Sequence, residues 1–470
     1  MKSLSLVIFG VTSNLAKIKL LPALYGLAKK EILPTDVEII GIARGEKTKT
    51  EFQNYIHGVL SIKKHIHELS DDIFKNFCGK ISYVSGDATD KKLYTKLKKI
   101  LNSQNKIFYL ATYPELYPVI FRNLKSFGLN NQKNGFSRLM IEKPIGTDLK
   151  SAKKLNNLLL KYYKEDQIYR LDHYLGKETL QNIIDFRFGN GIFEPLINRE
   201  YIDHVQVSAL EDFGIESRAG YYDAVGALKD VGQNHLLQMI AISLMEDPVH
   251  YTNEAITRER IKVLQSIKPM ARKIVFGQYR GYRKEPGIDP NSKTDTFFAF
   301  KTELKKDKLK GVPIYVRAGK MLQRNVAEVA IVFKVPINRI FKELDSGHSH
   351  NVLIYRIQPN EGIVLKIFAR APGYEKKIIP SYMQFCYKDL PGEPKDPYEN
   401  LIQNALEGDQ TFFNDAPEIE AQWKFTDNLL KAKKKIHTYK PGSWGPKAAD
   451  DLLKTDGRSW IEPSVEFCRF

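Results

Sequence analysis

A short apolar run that breaks at a glycine into a helix start is the feature that most constrains this chain. Residues 3–9, SLSLVIF, read as a strand; Gly10 ends it, and Val11-Thr12-Ser13-Asn14-Leu15 opens a helical stretch over residues 14–30. The unpaired N–H groups and the dipole of such a helix start favour an anion, which is how dinucleotide sites receive a pyrophosphate. Thr12, Ser13 and Asn14 carry side chains able to cap that helix. Further strands follow at VEIIGIA (37–43), KISYVS (80–85), KIFYLAT (106–112) and SRLMIEKP (137–144), with Lys-rich helical stretches between them and a long helix over residues 148–164. Strands alternating with helices predict a parallel, doubly wound sheet, an α/β Rossmann-like N-terminal domain over residues 1–168.

Beyond residue 167 the pattern changes. HVQVSALE, KIVFGQY, TDTFFAFKTEL, VPIYVRAG, AEVAIVFK, NVLIYRIQ and GIVLKIF are alternating strands divided by turn-rich segments, with helical stretches over residues 179–186, 229–245 and 397–406. This predicts an α+β C-terminal domain, residues 169–470, built on a large, mainly antiparallel sheet. A chain of 470 residues is too long for one ordinary core, which agrees with two domains and a site at their junction.

The charge balance is basic, 72 Lys and Arg against 55 Asp and Glu, a net +17. The lysines are scattered, at residues 91–99, 305–310 and 431–435, without aromatic interleaving, so they read as solvated faces and not as a nucleic-acid surface. Their summed field still favours phosphorylated ligands. No apolar run approaches the roughly 18 residues of a membrane span. The N-terminal apolar run leads into a glycine turn and a charged helix, which is not a signal-peptide pattern. Three cysteines, Cys78, Cys386 and Cys468, lack metal-ligand spacing and favour a reducing, cytoplasmic setting without a bound metal.

Three further segments carry chemistry. The second strand ends at Arg44, where a NAD site would present an acid to the ribose; an Arg there suits a 2′-phosphate and points to NADP. RLDHYLGKE (170–178) gathers Asp172, His173, Tyr174 and Lys177. His173 and Lys177 are four apart, so a helical turn would set both on one face toward a phosphate dianion. In DVGQNHLLQ (230–238), His235 precedes the apolar Leu236, Leu237, Met239 and Ile240. Such a His is a satisfied core residue unless a carboxylate elsewhere orients it as a base.

Taken in order, RLDHYLGKE, IEKPIGT, EDFGIESRAGYYD, DVGQNHLLQ, VRAGK and GSWGP resemble the glucose-6-phosphate dehydrogenase family. The resemblance runs from the first strand through YENLIQNALEGDQTFF to Trp444. It implies NADP-dependent oxidation of D-glucose 6-phosphate to the 6-phospho-lactone, the first step of the oxidative pentose phosphate pathway. It also implies a cytoplasmic homodimer or homotetramer built through the large sheet. By the same resemblance His235 is the general base and Asp172 supports its imidazolium. His173, Tyr174 and Lys177 hold the sugar phosphate. Lys143 serves both substrate and nicotinamide, with a turn shaped by a cis bond at Pro144. Glu211 and Asp230 bind sugar hydroxyls, and Lys320 and Lys19 line the site. Gly10, Thr12, Ser13, Asn14, Leu15 and Arg44 serve the cofactor, Thr12 and Arg44 at its 2′-phosphate.

The chain departs from the family pattern at three places. Ser13 and Asn14 replace the Gly and Asp of the usual opening, and Asn325 stands where a basic residue is usual. Arg324, one residue earlier, is expected to take over the phosphate role; otherwise the phosphate site is weaker. LKKDKLK (304–310) replaces a Trp-containing segment. The alternative to an active dehydrogenase is a catalytically weak NADP-binding homologue with an altered sugar or regulatory role. Intact His235, Asp172 and Lys177 argue against it.

Overall fold

The computed structural model describes residues 3–62, 69–101, 103–305, 308–335, 350–374, 377–392, 394–432, 435–464 and 467–468. Parts of the Lys-rich runs (Lys306, Asp307, Lys433 and Lys434) lie outside these. The chain divides into two units. One gathers Met1–Lys177, Thr252–Thr257 and Lys395–Ile419; the other gathers Glu178–Tyr251, Arg258–Pro394 and Glu420–Phe470.

The first unit is built on six strands, β1 (Leu4–Phe9), β2 (Val37–Ala43), β3 (Ile81–Ser85), β4 (Asn105–Leu110), β5 (Ser137–Ile141) and β6 (Ile168–Arg170). Their order is β3-β2-β1-β4-β5-β6 and every pairing is parallel. The central strand β1 is buried at all six residues, as a strand covered on both faces must be. Each fully buried Leu, Ile or Val there contributes about 1.5–3 kcal/mol relative to exposure. The connecting helices show why the charge runs are bland. In Lys91–Ile100, capped by Asp90 accepting from Lys92 N at 2.8 Å, Leu93, Tyr94 and Leu97 are buried and the lysines face water. The helix Pro397–Glu407 returns from far along the sequence to this unit. Leu401, Ile402 and Ala405 join its core, Lys30 pairs with Glu399 at 2.7 Å, and Arg138 donates to the carbonyls of Ala405 and Leu406.

The second unit holds a nine-stranded sheet of β7 (Ile202–Leu210), β8 (Ile274–Tyr279), β9 (Phe297–Glu303), β10 (Pro313–Gly319), β11 (Val326–Phe333), β12 (Val352–Gln358), β13 (Gly362–Arg370), β14 (Ile378–Cys386) and β15 (Ile436–Tyr439). The order is β14-β13-β12-β11-β7-β10-β9-β8-β15. Most pairings are antiparallel, as the alternating segments predict, but β10 runs parallel to β7 and β15 parallel to β8. A disulfide joins Cys386, at the end of β14, to Cys468. The cysteine spacing gave no sign of it, because 82 residues separate the two positions. Cys78 is the free, buried one.

Candidate active site

The glycine turn is built as the sequence requires. Gly10 has φ +84°, and a Cβ there would fall 2.4 Å from the carbonyl oxygen of Ala111, so both conformation and space demand glycine. The N–H groups of Gly10 and Val11 donate to the Ile42 carbonyl on β2, at 2.9 and 3.1 Å. Ser13 then caps the helix: its Oγ accepts from Ala16 N at 3.1 Å. Ser13 therefore has its own local task, while Asn14 is exposed and Thr12 and Leu15 are half-buried. The helix begins with a widened stretch, Ala16–Leu20, before regular turns at Leu21–Lys29.

Arg44 is exposed just past β2, with its carbonyl accepting from Ser85 Oγ at 3.2 Å. The motif reading missed two cations of the same unit, Lys17 and Lys47. The ammonium groups of Lys17 and Lys47 sit 5.9 and 5.7 Å from the centre of the Tyr55 ring. Burial, with a smaller effect of Tyr83, pushes the Tyr55 hydroxyl up to about 12, so it stays neutral beside them.

The RLDHYLGKE segment corrects one expectation. Residues 172–177 form a turn and not a helix; the helix Glu178–Gly189 starts only afterwards. Asp172 explains this, since its Oδ1 accepts from Tyr174 N at 2.9 Å and its carbonyl from Leu175 N at 2.9 Å, which closes the chain locally. Lys177 N then donates to the Tyr174 carbonyl. Asp172 and Tyr174 are buried, His173 and Lys177 half-buried. The His173 and Tyr174 rings meet at 5.2 Å, and Lys177 Nζ lies 5.5 Å from the Tyr174 ring. Tyr398, the first residue of the YENLIQNALEGDQTFF segment and given no role in the sequence reading, completes this group. Its ring stacks on His173 at 6.4 Å with 13° between planes, and Lys19 Nζ lies 5.9 Å from its centre. Lys143 is half-buried two residues past β5, and its bond to Pro144 is cis.

In the second unit, His235 lies on a widened helical segment, Leu228–Leu236, that runs into Leu237–Leu244. Such widened turns recur at functional positions. The segment is started by Asp295, whose Oδ2 accepts from Leu228 N at 2.9 Å while its carbonyl accepts from Ala227 N. Gly226, at φ +74°, lets the backbone come this close; a Cβ would fall 2.7 Å from Asp295 Oδ1. His235 is 2% exposed and Asp230 6%. Asn234 binds to both, accepting from His235 N at 2.7 Å and donating to the Asp230 carbonyl at 3.1 Å. The Asp230 carboxylate also lies 3.9 Å from Arg218.

Glu211 and Lys320 are brought together by topology. Leu210 and Gly319 are register partners at the ends of the parallel β7 and β10, so the next residues on each strand meet. Lys320 Nζ donates to Glu211 Oε2 at 2.5 Å and lies near the rings of Phe213 and Tyr222. Arg324 is placed differently from a phosphate ligand. Its guanidinium donates to the Pro463 carbonyl and sits 5.8 Å from the Trp444 ring, tied to the C-terminal segment. Arg324→Ala is therefore expected to lower the thermal midpoint while leaving KM for a phosphorylated sugar within about twofold, since uniform binding is not lost. A KM raised tenfold at constant ionic strength would return Arg324 to the anion site.

The expected site residues thus fall in two groups. Gly10 to Leu15, Lys19, Arg44, Lys143 and Asp172 to Lys177 belong to the first unit; Glu211, Asp230, His235 and Lys320 belong to the second. Residues 7–182 match the model of the glucose-6-phosphate dehydrogenase NAD binding domain, and residues 184–461 that of the glucose-6-phosphate dehydrogenase C-terminal domain. Glucose-6-phosphate 1-dehydrogenase of Borreliella burgdorferi is 40% identical over 96% of this chain and 97% of its own. The Treponema pallidum enzyme of the same name is 38% identical, over 98% and 95%. Among solved structures, glucose-6-phosphate dehydrogenase in complex with its substrate glucose-6-phosphate superposes with a TM-score of 0.90 at 32% identity, covering 98% of this chain and 99% of that one. The Mycobacterium avium glucose-6-phosphate 1-dehydrogenase gives 0.89 at 35%, covering 99% of each. Two family models that together span the chain, and relatives matched along nearly their whole length, agree with the two folds and the motifs they position: the chain belongs to the glucose-6-phosphate dehydrogenase family.

Proposed function

We propose that the chain oxidises D-glucose 6-phosphate to 6-phospho-D-glucono-1,5-lactone as an NADP-dependent dehydrogenase, with His235 as the general base. The observation that carries the residue assignment is the placement of His235, buried on a widened helical segment beside Asn234 and Asp230. NADP, when bound, supplies the hydride acceptor. The first unit fits that group by its donor set: a glycine turn opening a capped helix, then Arg44, Lys17 and Lys47 as cations for an anionic ligand.

His235 takes the proton of the anomeric hydroxyl, and Asp172 stabilises the imidazolium that results. A neutral imidazole can accept a proton at neutral pH. His173, Tyr174 and Lys177 hold the phosphate dianion, with Lys143 and Lys19 adding charge. Glu211, Asp230 and Lys320 receive the sugar hydroxyls. Residues 1–168 serve as the NADP-binding domain and 169–470 as the substrate-binding and oligomerisation domain.

The proposal includes a cytoplasmic homodimer or homotetramer. A 37% identical relative from Arabidopsis thaliana is named a cytoplasmic enzyme, and the edge strand β14 leaves Tyr382, Met383 and Phe385 exposed for self-association. Sedimentation at the monomer mass alone would remove that part.

One assay tests the activity. Reduced nicotinamide is expected to accumulate with glucose 6-phosphate and NADP, much faster than with unphosphorylated glucose. Equal rates with both sugars would show that the cationic group at residues 173–177 does not hold a phosphate.

A further inference from the structure

Glu142 is a carboxylic residue that none of the assigned roles uses, and it sits where β4, β5 and β6 end. It follows β5 directly, precedes Lys143, and is buried. Tyr109, on β4, donates its hydroxyl to Glu142 Oε1 at 2.5 Å. Tyr398, near the start of the helix Pro397–Glu407, brings its hydroxyl to the Glu142 carboxyl and, with Tyr109, helps to hold that carboxyl down. Asp396 fixes that helix start by accepting from Tyr398 N at 2.8 Å. The same Tyr398 ring stacks on His173.

We propose that Glu142 is a positioning residue for the substrate phosphate: clamped by Tyr109, it holds Tyr398 by its hydroxyl, and the Tyr398 ring sets the orientation of the His173 imidazole. This rests on the reading of His173 as a phosphate ligand. A buried carboxyl clamped by one tyrosine donor and faced by a second tyrosine hydroxyl is costly to build and is justified by the geometry it fixes. Its partners come from two separate elements, so it links a strand end to a distant helix at the place where His173 stands. Around it stand Tyr109 from β4, Lys143 from its own segment, Asp172 from the turn after β6, and Tyr398 from the helix. Burial pushes the Glu142 carboxyl up to about 7, opposed by the tyrosine bonds and by the Lys143 charge. The tyrosines are pushed up, chiefly by burial, and remain hydroxyl donors.

The test is a double-mutant cycle of Glu142→Gln and Tyr398→Phe, read as KM for glucose 6-phosphate, kcat, NADPH affinity by fluorescence and the thermal midpoint. Above about pH 7 the Glu142 carboxyl is ionised, and hydrogen bonds to a charged group are roughly twice as strong as neutral ones. Each single variant is expected to raise KM about fivefold to tenfold with kcat and NADPH affinity within about twofold, the pattern of lost ground-state positioning. The double variant should be no worse than the poorer single one, because the two groups act through one bond. Tyr398→Phe keeps the ring against His173, so it carries the test if Glu142→Gln fails to fold.

Additive effects of the pair, or unchanged KM in Tyr398→Phe, overturn the proposal, as does a parallel loss of NADPH affinity. His173→Ala separates the two levels of the argument. If it raises KM while the Glu142 and Tyr398 variants do not, the positioning role fails and the substrate reading stands. If His173→Ala also leaves KM unchanged, the substrate reading of His173 fails with it.

Discussion

His235→Ala lowers kcat by about 10²–10⁴-fold, the usual cost of removing a general base, while KM for glucose 6-phosphate stays within about threefold. The split follows from where the two tasks lie. In the proposed site the phosphate is assigned to groups on the turn at 172–177, whereas His235 belongs to the helical segment Leu228–Leu236. The local backbone survives the change, because Asn234 binds the N–H of residue 235 and not its ring. Thermal midpoint and NADPH affinity serve as controls for a buried site that has lost its ring. Steady-state kinetics near neutral pH decide the matter: a variant with near-native kcat would return His235 to the role of a packed core histidine, the bland reading its sequence neighbours favour.

The fold was legible where local pattern and tertiary context agree. Gly10 illustrates this, since the break after an apolar run demanded a positive φ and the structure supplies the reason, the carbonyl of Ala111. All five strands expected in the first unit are present, and β6 was missed because three residues give no periodicity. The helical turn expected at His173 and Lys177 failed for a physical reason. A spacing of four fits a helix face, but Asp172 accepting from Tyr174 N closes a turn at the same place. Burial at β14 does not alternate, and β15 is four residues long, so neither gave a strand signal. In the site, Glu211 and Lys320 meet only because β7 and β10 pair in parallel, which no window of sequence contains. The contact between Tyr398 and His173 was invisible for the same reason, since more than two hundred residues separate them.

Arg44→Ala weakens NADP about tenfold or more and leaves NAD within about threefold. The guanidinium would pair with a 2′-phosphate that NAD lacks, and a hydrogen bond to a charged group contributes about 1.5–3 kcal/mol, or roughly a factor of 10–150 in affinity. Arg44 is exposed, so solvent and salt screen it and the lower end of that range applies. Lys17 and Lys47, held against Tyr55, soften the loss further by supplying positive charge in the same unit. Adding Lys47→Ala to Arg44→Ala should therefore widen the gap between the cofactors, and raising the salt should narrow it. Dissociation constants for NADPH and NADH, measured at two ionic strengths, check both statements. Equal losses for the two cofactors would mean that Arg44 serves the adenine or the fold, and preference for NADP would then have to rest on the two lysines.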